Sequence, residues 1–96
     1  MENNSWYVYM VQCSDGTIYT GITNDVIARL LKHNSGSGAK YTRSRTPVKL
    51  KACWPYKQKS EAAKAEYAFK QMSRIEKMKL IRDYKLQTSK PKTRIL

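Results

Sequence analysis

Arg29 and His33 stand four residues apart, so on a helix they are neighbours and both reach one small site. A guanidinium can hold a phosphate oxygen or stabilise a phenolate, and an imidazole with an ordinary pKa near 6.5 can take a proton close to neutral pH. Two phenols, Tyr9 and Tyr19, lie ten residues apart in segments of strand-forming composition, and a carboxylate, Glu66, lies much later in the chain. Between them, Ala39-Lys40-Tyr41-Thr42-Arg43-Ser44-Arg45 interleaves three basic residues with an aromatic. Lys40, Arg43 and Arg45 can neutralise phosphates while Tyr41 stacks on an unpaired base. This composition suits flexible single-stranded or branched nucleic acid better than groove reading, because no recognition helix of a known type is present.

The overall charge points the same way. The chain has 96 residues and a formal net charge of +12. Residues 1–28 hold no Lys or Arg and three acids, whereas residues 29–96 hold all 19 basic residues and only four acids. A polyanion is therefore the first partner to expect, and Lys49, Lys51, Lys57 and Lys59 extend the basic surface. The basic residues are spread over several elements, which argues against a membrane-surface helix, and no window approaches the roughly 18 apolar residues of a membrane span. The first residues lack the pattern of a secretory signal, so a soluble cytoplasmic protein is expected. Cys13 and Cys53 belong to no CxxC pair, and with one histidine they do not make a structural zinc site.

The elements that must position these groups are legible in outline. Trp6–Cys13 and Thr17–Thr23 are rich in aromatic and β-branched residues and flank Ser14-Asp15-Gly16, which predicts a β-hairpin. A three-residue loop with Gly16 in the left-handed region sets Val11 opposite Tyr19 and Tyr9 opposite Gly21. Tyr7, Tyr9, Val11, Tyr19 and Gly21 then share one face, partly covered, and Val8, Met10, Ile18 and Ile22 form the better core face. A two-residue turn at Asp15-Gly16 would instead put Tyr9 and Tyr19 on opposite faces.

Thr23, Asn24 and Asp25 offer N-caps for a helix over about 25–34 whose apolar stripe is Val26, Ile27, Leu30 and Leu31. Ser35-Gly36-Ser37-Gly38 ends it as a flexible stop. A third strand over 48–56 alternates Val48, Leu50, Ala52 and Trp54 with Lys49, Lys51 and Cys53. Ser60 caps a second helix with Ala62, Ala65, Phe69 and Met72 inward and Glu66 on the stripe's edge. Ser73-Arg74-Ile75-Glu76 is a capping box for a third helix to about Tyr84, with Ile75, Met78, Leu80 and Ile81 apolar. One domain over 1–84 and a basic tail over 85–96 are expected, in the α+β order ββαβαα.

Taken in order, Tyr7-Val8-Tyr9, Tyr19-Thr20-Gly21, Arg29 and His33 on a helix, the Gly38-Ala39-Lys40-Tyr41-Thr42-Arg43 run and a helical Glu66 resemble the GIY-YIG nuclease family. The likeness runs from about Trp6 to Arg82 and is to the small single-domain members. It implies a three-stranded antiparallel sheet flanked by helices and metal-assisted cleavage of a nucleic-acid phosphodiester. By similarity, Tyr9 and Tyr19 are the paired motif tyrosines, with Tyr19 expected as the base and Tyr9 as its partner. Arg29 stabilises a phenolate or holds a phosphate oxygen, and His33 accepts a proton or contacts the scissile phosphate. Glu66 matches the metal-binding glutamate, and one carboxylate with waters and substrate oxygens suits Mg²⁺ or Mn²⁺.

The resemblance further implies an endonuclease acting on DNA, in repair or processing, as a monomer. Short members lack the extra domains of longer relatives, which leaves room for a targeting protein as partner. The sequence departs from the fuller pattern in having Tyr7 at the first glycine position and no Asn after Asn34, where many members carry an Asn following the glutamate. A nucleic-acid-binding module that keeps the fold without cutting is the alternative, and a basic protein attached to ribosome or chromosome is a third.

Overall fold

Alternating apolar and aromatic residues drive Trp6–Gln12 into strand β1 and Ile18–Thr23 into β2, joined as an antiparallel hairpin. The structure, a computed structural model, describes residues 5–89, without the side chains of 87–89. The loop closes through Cys13 N–H on the Thr17 carbonyl at 2.8 Å and Gly16 N–H on the Cys13 carbonyl at 2.9 Å, with Gly16 at φ +87°. Asp15 stiffens it, its Oδ1 accepting from the Thr17 hydroxyl at 2.6 Å and from the Thr17 N–H at 3.1 Å. The three-residue loop thus fixes the register. Tyr9 lies opposite Gly21 and Val11 opposite Tyr19, which puts both tyrosines on one face.

Strand β3, Lys49–Tyr56, pairs antiparallel with β1 on its other side, giving the sheet order β2-β1-β3. Met10 faces Ala52 but Val11 faces Leu50, so Lys51 is an inserted bulge residue. The bulge corrects the expected alternation. Ala52 and Trp54 stay with Met10 and Val8, whereas Val48 joins the cluster of Tyr9, Val11 and Cys13 on the opposite face. Pro55 is accommodated because β3 is an edge strand.

Helix α1, Val26–Asn34, starts at Asp25, whose carboxylate accepts from Ala28 N–H at 3.0 Å. Its buried side is rotated from the expected stripe. Ile27 and Leu31 are 65% and 67% exposed, while Leu30 packs on the tyrosine-face cluster and His33 is fully buried. A polar ring can take the inward position because its nitrogens find partners there. Covered by α1 and the loop that follows it, the tyrosine face is buried at Tyr9, which is only 2% exposed, and half-buried at Tyr7 and Tyr19, the partial cover expected.

Helices α2, Lys59–Lys70, and α3, Arg74–Ser89, cover the other face through contacts of Trp54 with Phe69 and Tyr84 at centroid distances of 5.0 and 5.5 Å. Gln58, not Ser60, is the N-cap of α2, with Glu61 Oε1 taking its N–H at 3.3 Å. The Ser73–Glu76 capping box opens α3 as expected, with Ser73 N–H on Glu76 Oε1 at 2.8 Å and Glu76 N–H on Ser73 Oγ at 3.2 Å. Ile75 sits in the first turn of α3 and is 81% exposed, so it is no core residue, whereas Ile81 is buried. The helix continues to Ser89, so residues 85–89 of the expected tail are helical, and residues 90–96 lie outside those described.

Candidate active site

The Tyr9 ring lies across its cross-strand partner Gly21, and a Cβ there would come within 2.6 Å of the phenol oxygen. That oxygen is held by two residues one turn apart on α1. Arg29 Nε–H donates to it at 3.3 Å, and His33 Nε2 lies 2.8 Å away. On the far side of the imidazole, Nδ1 lies 2.8 Å from Thr42 Oγ1, whose own proton goes to the Ala39 carbonyl at 3.0 Å. Gly38 packs directly on the same ring, where a Cβ would meet Nδ1 at 2.6 Å. The segment expected as a flexible stop is therefore a wall of the site at Gly38.

These surroundings set the ionisation states. Burial raises the Tyr9 pKa above 10.0, only partly offset by the hydrogen bond from Arg29, so Tyr9 is a neutral phenol at pH 7. Burial and then the Arg29 charge push His33 below 6.5, so its imidazole is neutral. Arg29 is raised above its usual value, chiefly by its bond to Tyr9, and remains a fixed cation.

Tyr19 completes the aromatic wall, with its centroid 6.3 Å from Tyr9, 5.5 Å from His33 and 5.9 Å from a nearly parallel Tyr41. Its ring also carries Lys70 Nζ at 5.9 Å, and Lys70 pairs with Glu66 Oε2 at 3.3 Å. Glu66, half-buried on α2, is near enough for its charge to act on Tyr9. Tyr9, Tyr19, Arg29, His33 and Glu66 are thus gathered from β1, β2, α1 and α2 at one place.

The basic loop divides. Lys40 and Arg43 are exposed beside the site. Arg45 instead donates to Asp15 Oδ2 at 2.9 Å and to the Tyr41 carbonyl at 2.7 Å, with its guanidinium 4.1 Å from the Tyr41 ring centre. It braces the loop against the hairpin turn and presents Tyr41, which is 39% exposed. Asn34 is likewise structural, gripping the Val48 backbone through Nδ2 to its carbonyl at 3.1 Å and Oδ1 from its N–H at 2.6 Å.

Sequence reasoning missed Thr42, Gly38 and Lys70 as site residues. The first two stand inside the 38–43 run, and Lys70 is marked by its i,i+4 spacing from Glu66. Lys77 on α3 adds a second ammonium, whose pKa is pushed down by burial and by the Lys70 charge.

A family model described as the GIY-YIG catalytic domain matches residues 5–79. A UPF0213 protein of Halobacterium salinarum is 55% identical over 71 residues, covering 74% of this chain and 92% of that protein. One from Bacillus licheniformis is 49% identical over 83 residues and 86% of each chain. Among solved structures, the solution structure of a UPF0213 protein of Bacillus halodurans matches with a TM-score of 0.52 and 50% identity over 79% of this chain and 81% of that one. A protein of E. faecalis matches with a TM-score of 0.58 and 42% identity over 90% and 93%. With the paired tyrosines, arginine, histidine and glutamate gathered on the matching three-stranded sheet, the chain belongs to the GIY-YIG catalytic domain family, a nuclease superfamily.

Proposed function

We propose that the protein is a metal-dependent endonuclease that hydrolyses phosphodiester bonds of DNA, with single-stranded or branched DNA favoured, in repair or processing. The observation that carries the reading is the Tyr9 oxygen clamped between Arg29 Nε at 3.3 Å and His33 Nε2 at 2.8 Å, within electrostatic reach of Glu66. A buried phenol cannot act as a preformed phenolate near neutral pH, but it can relay. As a water loses its proton to the Tyr9 oxygen, the Tyr9 proton passes to His33 Nε2. The water oxygen bonds to phosphorus, the bond to the leaving sugar oxygen breaks with its electron pair, and that oxygen takes a proton from solvent. His33 then returns its proton to the Tyr9 oxygen, which releases the one taken from water to solvent on the substrate side. Arg29 offsets the charge that builds on the phenol and the phosphate.

This geometry favours Tyr9 for the proton and Tyr19 for orienting, the reverse of the division expected from similarity. Glu66 fits a divalent metal such as Mg²⁺ or Mn²⁺: it is a half-buried carboxylate beside a phenol on a surface suited to phosphate, and that ion completes its shell with water and phosphate oxygens. When bound, such an ion supplies Lewis-acid stabilisation of the phosphorane and of the leaving oxygen. Lys40, Arg43 and the exposed Tyr41 hold the strand, with Arg45 acting through the Tyr41 position. The reading extends to a cytoplasmic monomer, with a targeting protein assisting the choice of site.

A second reading, a binding module that keeps the fold, draws on the Glu66–Lys70 pair at 3.3 Å and on the absence of any Asn after Asn34. Labelled single-stranded, duplex and branched DNA and RNA, incubated with the protein in Mg²⁺ and in chelator, separate the two. Cleavage of DNA only with metal is expected; binding without cleavage on every substrate would support the module instead.

A further inference from the structure

The relay needs one ring nitrogen of His33 bare and the other protonated, and the structure contains the group that chooses between them. We propose that Thr42 is a positioning residue that fixes the His33 tautomer. The inference rests on the nuclease reading for its consequence, but the tautomer itself follows from hydrogen-bond accounting alone.

A threonine hydroxyl has one proton. That of Thr42 is given to the Ala39 carbonyl at 3.0 Å, which as a carbonyl can only accept. Thr42 Oγ1 is therefore left as an acceptor toward His33 Nδ1 at 2.8 Å, so Nδ1 carries the ring proton. Nε2 is then bare, and the Tyr9 phenol donates to it at 2.8 Å. Arg29 Nε–H, itself only a donor, fills a lone pair of the Tyr9 oxygen from the other side. Every bond in the series runs one way, from Arg29 to Tyr9 to His33 to Thr42 to Ala39.

Burial makes this choice binding. His33 and Thr42 are both fully buried, so no water replaces a lost partner. The opposite tautomer would set Nε2–H and Arg29 Nε–H together against the phenol oxygen, leave the buried Tyr9 proton without its His33 acceptor, and draw the Thr42 proton off the Ala39 carbonyl to Nδ1. The charged and titratable groups around the imidazole are Tyr9 on β1, Tyr19 on β2 and Arg29 on α1, whereas the hydrogen bond at Nδ1 is made with Thr42. After the proton transfer the same Thr42 oxygen supports the imidazolium that forms. Thr42 also lies between Tyr41 and Arg43, so the loop expected to hold the substrate strand is the loop that sets the proton acceptor.

The chain contains one histidine, so its imidazole can be read without assignment ambiguity. Long-range ¹H–¹⁵N spectra at pH 7.5 should show His33 as the Nδ1–H tautomer. Thr42→Ser should keep that tautomer and cleave within about threefold of wild type. Thr42→Val, which keeps the shape and loses the oxygen, should shift the ring toward Nε2–H and slow single-turnover cleavage by about 10- to 100-fold, the range seen when the partner that orients a metal-ligating histidine is removed. Its pH–rate profile should also lose the limb that reports a neutral His33.

A wild-type His33 found as Nε2–H would overturn the proposal before any variant is made. So would a Thr42→Val protein that keeps Nδ1–H and the wild-type rate. If Thr42→Val does not fold, the wild-type and Thr42→Ser spectra decide the matter. Absence of cleavage by every form, with the Nδ1–H tautomer observed, would count against the nuclease reading and leave the positioning role of Thr42 standing.

Discussion

The Tyr9 oxygen gathers one hydrogen bond from a fixed cation and makes another to a neutral imidazole, and each of these can be removed separately. Tyr9→Phe keeps the ring and deletes the relay, so single-turnover cleavage should fall by about 10²- to 10⁴-fold with binding of the substrate nearly unchanged. Gly21→Ala tests the space the ring occupies: a Cβ 2.6 Å from the phenol oxygen should destabilise the fold by about 1–3 kcal/mol in urea denaturation and displace Tyr9 as well. His33 gives a pH signature. Its folded pKa lies below the unfolded value of 6.5, so its contribution to stability is complete above 6.5. As pH falls from there, the unfolded chain binds the proton first, and stability drops until pH has passed the lowered folded value. Urea midpoints between pH 7.5 and 5 should decline in wild type and decline less in His33→Gln. Asp15, held below 3.8 chiefly by the Thr17 hydroxyl, acts only at more acid pH and does not confuse the window. Tyr9, Arg29 and His33 were legible in the sequence as members of this network, and Thr42 was not. Nor was the direction of the network's bonds, because it depends on where a loop places Thr42.

At the scale of elements, the hairpin was the most legible part, since Ser14-Asp15-Gly16 admits a three-residue turn that fixes which residues oppose which. The rotation of α1 was not legible. Apolar spacing favoured Ile27 and Leu31 as inward residues, yet the helix buries His33, because Tyr9 and Thr42 satisfy both ring nitrogens and Gly38 lets the chain approach. Hydrophobic pattern ranks side chains by apolar content and cannot see partners brought from elsewhere. The bulge at Lys51 escaped for a similar reason, since the alternation of β3 reads as unbroken until its pairing with β1 is known. Two groups keep α1 in place: the Asp25 cap at its start and Asn34, bonded to Val48, at its end. Asp25→Ala should cost about 1 kcal/mol of stability, read from the urea midpoint, with a smaller loss of cleavage than any change to Tyr9.

Over the whole molecule, an acidic first segment supplies Tyr9 and Tyr19 and a basic remainder supplies the surface around them. No helix among the described residues is long and apolar enough to cross a membrane. Lys40 and Arg43 come from the loop that carries Tyr41, and Lys70 and Lys77 from two helices, with Lys70 over the Tyr19 ring and its charge acting on Lys77. Binding to DNA should weaken steeply with salt, with Lys40→Gln or Arg43→Gln each lowering the slope of log affinity against log salt by about 0.7–0.9 if each meets one phosphate. A change at Arg45 should act through Tyr41 and the loop, since Arg45 is already paired with Asp15. Whether Glu66 serves cutting rather than binding is decided by comparing wild type with Glu66→Ala on a cleaved DNA substrate in Mg²⁺, with binding measured in parallel. Cleavage lost by at least about 100-fold, with affinity within about threefold, is predicted. Equal cleavage by the two proteins, or a loss of cleavage that only follows a loss of binding, would contradict the account.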